Sequence, residues 1–124
     1  MTIAGAHTLL FAEDAAAARA FFRDVLGFDN VDSGGGWLIF ALPPAELGIH
    51  PVNRPDHVSG KQELWFMCHE LESTAQELEA KGAEFNGPVS EESFGRYRRF
   101  RVPGAGDAWL YEPTHKSPLA EFPG

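Results

Sequence analysis

The sequence predicts an α+β fold made of two tandem modules, each running strand, helix and then three strands. Three observations predict it. Two stretches of helical period each stop at a glycine, Gly27 and Gly82. A short apolar run precedes each stretch, and further runs follow it between turns rich in Gly, Pro and Asp. The closing segments also correspond residue by residue, LGIHP at 47–51 with WLYEP at 109–113. A four-stranded sheet with one helix cannot cover both of its faces, so each half needs the other. A cleft between the halves is the expected seat of function.

In order, residues 6–11 (AHTLLF) read as a buried strand. Asp14 then caps a helix over 15–26, with Phe21, Phe22, Val25 and Leu26 on one stripe near Ala18. A short strand at 28–31, a turn at 32–36, a strand at 37–42 and another at 46–50 complete the first half. The turn-forming stretch 51–60 joins the halves. The second half repeats the order: strand 63–68, helix 71–81, strand 83–89, strand 94–102, turn 103–106 and strand 108–112. The tail from Pro113 holds three prolines and reads as irregular. The modules span about 1–52 and 61–115 of a single domain, 124 residues being near the common domain size.

Composition narrows the function. A formal charge of −8, from 18 acidic and 10 basic residues, argues against nucleic acid and against anionic membranes as partners. No apolar stretch approaches the roughly 20 residues of a membrane helix. Glu13 and Asp14 interrupt any reading of a secretory leader. With one cysteine, Cys68, no internal disulfide forms. These features point to a soluble cytoplasmic protein. Ser-His-Asp patterns, CxxC pairs and phosphate-binding loops are missing.

The run AHTLLFAEDAAAARAFFRDVLGF, and FFRDVLGF most of all, resembles the opening of a vicinal-oxygen-chelate module. That superfamily holds glyoxalase I, extradiol dioxygenases and the fosfomycin- and bleomycin-resistance proteins. ELWFMCHELESTAQELEAKGAEF resembles the start of a second module and FRVPGAGDAWLYEP its close. The resemblance spans nearly the whole chain. It implies two βαβββ modules forming a cupped mixed sheet around a cleft, and a homodimer. It does not choose among activities, because the fold hosts many.

Catalytic members hold a divalent ion with His, Gln and Glu from the first and last strands of each module. Carried over by position, His7 and Glu63 fall at the two first-strand slots. The last-strand slots hold Leu47 and Trp109, which cannot bind a metal. A shifted register offers Glu46, or His50 with Glu112, but a one-residue shift turns a side chain to the opposite strand face. The expectation is therefore no cofactor, the alternative being one Fe, Mn, Ni or Zn ion. His57, His69 and His115 read as solvated.

Without a metal, the cleft is a place to bind. Trp37, Trp65 and Trp109 lie in expected strands and form either core or the wall of an aromatic pocket. Arg96, Arg98, Arg99 and Arg101 crowd one strand with Tyr97. Alternation separates Arg96 and Arg98 from Arg99 and Arg101. One pair faces an anionic ligand group or, more commonly for such a strand, solvent and Glu91 and Glu92. Phe94, in the loop 90–95, flanks the cleft entrance. The expected function is small-molecule binding of the bleomycin-resistance type, through Trp37, Trp65, Phe94, Arg98, Trp109 and Tyr111. The alternative is a metal-dependent lyase, isomerase or dioxygenase in which Glu63 shuttles a proton.

Overall fold

In the computed structural model of the chain, the structure describes residues 8, 10, 12–46, 48, 51–59, 61–116, 119, 120 and 122. The first helix, α1 (Ala15–Asp24), begins where the sequence places it. The Asp14 carboxylate accepts the Ala17 N–H at 3.0 Å, and a run of alanines follows. It ends slightly earlier than expected, with the Val25 N–H closing on the Phe21 carbonyl. Its buried stripe is Ala18, Phe21 and Phe22. An antiparallel hairpin follows, β1 (Asn30–Asp32) and β2 (Leu38–Phe40). Asp32 accepts the Gly34 N–H at 2.8 Å inside its turn. The expected strand at 46–50 and most of the one at 6–11 lie outside the described residues.

The second half has the predicted order in full: β3 (Trp65–Met67), α2 (Leu71–Ala80), β4 (Phe85–Glu92), β5 (Gly95–Val102) and β6 (Gly106–Pro113). The strands form one mixed sheet in the order β3-β6-β5-β4, with β3 parallel to β6 and the other pairs antiparallel. A parallel pair needs a long crossover, and α2 lies within it. Unlike α1, α2 has no side-chain cap of its own. Glu112 of β6 supplies one, its Oε2 accepting the Leu71 N–H at 3.1 Å. A carboxylate at a helix N-terminus also meets the positive end of the helix dipole.

Register sorts the sheet into two faces. Trp65, Trp109 and Arg99 are pairing partners on one face, with Met67, Tyr111 and Tyr97 beside them. Phe66, Leu110 and Arg98 stand on the other, with Ala108 and Phe100. Both helices pack on the second face. Phe21 lies 6.1 Å from the Phe100 ring, and Phe22 6.1 Å from Phe66. Phe100, Leu71 and Val102 are the largest fully buried side chains. The start of α1 is tied to the β5–β6 turn by the Asp14 N–H to the Gly104 carbonyl at 3.1 Å. No helix among the described residues is long and apolar enough to cross a membrane.

Candidate functional site

The face turned away from the helices is an aromatic wall. Trp65 and Trp109, aligned across the parallel pair, have rings 5.3 Å apart and 3° from parallel. Tyr97 meets Trp65 edge-on at 4.9 Å, and Tyr111 does so at 5.3 Å. Phe94, in the turn between β4 and β5, lies parallel to Tyr97 at 6.1 Å. Period-two alternation produces this: once Phe66, Leu110 and Phe100 are committed to the helices, Trp65, Trp109, Tyr111 and Tyr97 must face the other way.

The rim of the wall is pinned. The Tyr111 hydroxyl donates to the Phe94 carbonyl at 2.9 Å, the Thr114 N–H donates to the same oxygen at 2.9 Å, and the Thr114 hydroxyl donates to the Ser93 carbonyl at 3.2 Å. Burial, with the nearby Glu46 carboxylate, pushes the Tyr111 phenol up to about 12, so it stays a donor at neutral pH. His115 lies 5.8 Å from the Tyr111 ring and pairs with Glu46 at 3.4 Å. The segment holding Glu46 therefore reaches this end of the wall.

The charges divide by face. Glu63 accepts the Trp65 Nε1–H at 3.1 Å. Arg99, on the wall side, pairs with Asp107 at 3.4 Å. Arg98, expected at the ligand, stands on the helix-covered face, over the Phe85 ring at 4.7 Å and 3.9 Å from Glu79. Arg96 shares that face and engages Glu72, Glu91 and Glu112. The reason is parity: both alternate in step with Phe100, which the core claims. Tyr97 and Arg99, named on this strand but left out of the expected ligand-binding set, are placed on the wall by the same alternation counted from Phe100 and Val102.

Trp37 is not brought to the wall. It precedes β2, is 54% exposed, and lies beneath the Arg19 guanidinium at 4.7 Å. A shallow depression of about 380 Å³ opens near it, between Arg19 and Arg23 of α1 and Gly35, Gly36 and Leu38. Its walls are mostly short side chains, and Arg23 is already engaged by Asp24 at 2.7 Å. The wall gathers the rings and the hydrogen-bonded rim, and is the stronger candidate.

Among the described residues no group of three or more His, Cys, Asp and Glu converges. Glu112 is spent on Leu71 and Arg96, on the face opposite the tryptophans. Glu63 bonds Trp65. His7, His50 and Leu47 lie outside the described residues. Cys68 packs against the core, and burial pushes its thiol from the ordinary 9 up to about 11. The fold thus favours the neutral thiol, a stability contribution full below about pH 9 and lost as the pH rises toward 11. At pH 8 Cys68 is expected to react with a disulfide reagent about a hundredfold more slowly than in the unfolded chain. Equal rates in buffer and in urea would refute its burial.

One βαβββ module with parallel outer strands, helices on one face and rings on the other, defines an α+β protein of the glyoxalase type. The chain belongs to the Glyoxalase/Bleomycin resistance protein/Dioxygenase superfamily, whose family model matches residues 5–115. It is 27% identical over 123 residues to a manganese-dependent 2,3-dihydroxybiphenyl 1,2-dioxygenase of Geobacillus genomosp. 3. The match covers 93% of this chain but only 38% of that protein's length. Among solved structures it resembles TnmS3, an antibiotic binding protein from Streptomyces sp. CB03234, with TM-score 0.60 and 22% identity. That likeness covers 91% of this chain and all of the other. It also resembles a lactoylglutathione lyase from Agrobacterium tumefaciens, with TM-score 0.59 and 21% identity over 84% of this chain and 89% of that one.

Proposed function

We propose that this protein binds a small molecule against the Trp65–Trp109 wall, in the manner of the binding rather than the catalytic members of its superfamily. The observation that supports this reading is the wall itself: five aromatic side chains brought together on one sheet face, with the rim residue Phe94 held by two hydrogen bonds. Rings of this kind offer flat apolar area that holds planar ligands. The reading takes the protein as a cytoplasmic homodimer of two-module chains, with modules at about 1–52 and 61–115.

The test is calorimetric titration with planar aromatic compounds. Trp65→Ala and Trp109→Ala are each expected to weaken binding by about ten- to a hundredfold, the usual effect of removing a stacking ring. Trp37→Ala should leave it unchanged. Equal effects of all three substitutions would move the site away from the wall.

A second reading, a divalent-metal-dependent enzyme, draws on the similarity to the manganese-dependent dioxygenase. Elemental analysis of the purified protein separates the two. Stoichiometric metal that is lost in both His7→Ala and Glu63→Gln favours the enzyme.

A further inference from the structure

We infer that the ligand of this wall is a flat organic cation, a planar aromatic carrying positive charge on a ring or amidinium nitrogen; this rests on the wall being the binding site. Three observations lead there. First, each of the four arginines of β5 already has a carboxylate within ion-pair distance. Arg96 and Arg98 are on the helix-covered face among Glu72, Glu79, Glu91 and Glu112. On the wall side Arg99 pairs with Asp107 at 3.4 Å and Arg101 with Glu84 at 3.6 Å, so each of these cations has a carboxylate beside it.

Second, the carboxylate beside the indole pair has no cationic partner among the described residues. Glu63 accepts from the neutral Trp65 Nε1–H, and its side chain is exposed at the edge of the wall. Among the described residues, no cationic side chain stands within ion-pair distance of this charge, where a ligand lying on Trp65 would end. At the other end of the wall the Tyr111 hydroxyl, a donor an anion could use, is already given to the Phe94 carbonyl.

Third, aromatic faces carry negative potential and attract cations, and the attraction adds to that of a nearby carboxylate. The formal charge of −8 on the whole chain has the same sign and favours the approach of cations from a distance. A planar cation satisfies the rings by stacking and Glu63 by charge. A neutral isostere satisfies only the rings, and an anion meets repulsion at Glu63.

The test compares three probes of nearly equal size: N-methylquinolinium, quinoline (uncharged at neutral pH) and 2-naphthoate. Their affinities for the intact protein are measured by calorimetry at low and moderate salt. The cation is expected to bind about tenfold more tightly than quinoline, with naphthoate weakest. In Glu63→Gln, which keeps the acceptor for Trp65 and removes the charge, that preference of cation over quinoline should fall to about twofold. Quinoline or naphthoate binding as tightly as the cation overturns the inference and leaves the wall as a binding site. A cation preference that survives Glu63→Gln, with an unchanged circular dichroism spectrum, also overturns it. If none of the probes binds, the proposed function itself fails, and the inference with it.

Discussion

Phe100→Ala is expected to lower the stability of the fold by about 3–5 kcal/mol, the range for removing a fully buried aromatic ring from a packed core. Phe100 has no exposed surface. Its ring meets Phe85 at 5.4 Å, Phe21 at 6.1 Å and Phe66 at 6.3 Å. It is therefore the point where α1, β3 and β4 all contact β5, and a cavity there cannot close without moving three elements. Against a total stability of roughly 5–15 kcal/mol for a domain, such a loss takes much of the margin. The neighbouring Arg99→Ala lies on the opposite face and should change stability by less than about 1 kcal/mol, its pair with Asp107 being solvent-exposed. Urea unfolding of both variants checks this. A cost under 1 kcal/mol for Phe100→Ala would mean that the helices do not rest on this face.

Gly95→Ala is expected to cost about 3 kcal/mol and to damage binding as well. Gly95 sits at φ +152°, where a side chain is strained. A Cβ there would meet the Glu112 carbonyl oxygen at 2.5 Å, Tyr111 Cε1 at 2.7 Å and the Pro113 Cα at 3.0 Å. Two of these are backbone atoms of the paired strand, which cannot rotate aside. Relief must come from the β4–β5 turn, and that turn carries Phe94. The substitution should therefore weaken affinity for a planar ligand at protein concentrations and temperatures where the fold remains intact. Loss of stability with unaltered affinity would show that Phe94 is not part of the site.

Both predictions depend on features of different legibility. Both helices were readable because their determinants are local. Asp14 caps α1, alanines favour it, Gly27 and Gly82 end the helical runs, and the inward stripe repeats at helical spacing. The strand order of the second half followed from the same punctuation. The ends of β4 and β6 came out longer than the apolar runs, because strands extend as far as their partners pair and not merely as far as their side chains are apolar.

The aromatic wall was legible in part. Trp65, Trp109, Tyr111 and Phe94 do come together, but Trp37 and Arg98 do not join them. Trp37 belongs to the first-half hairpin, and nothing local to its strand says which way that hairpin packs. Arg98 differs from Arg99 by one residue, hence by one face, and the choice was made by Phe100 committing to the helices. Glu112, weighed as a metal ligand, caps α2 across a separation of 41 residues.

Taken alone, the sequence determined the α+β class, both helices, the strand–helix–three-strand order of the second half and the superfamily, since each is written in spacing, capping residues or a contiguous motif. Only the tertiary structure decided which sheet face the helices cover, and with it that Trp65, Tyr97, Trp109 and Tyr111 make a wall while Arg96, Arg98 and Glu112 serve the fold. The physical reason is that strand alternation offers two equivalent faces. The tie is broken by which face buries more apolar surface against elements distant in the chain, and no local pattern encodes that.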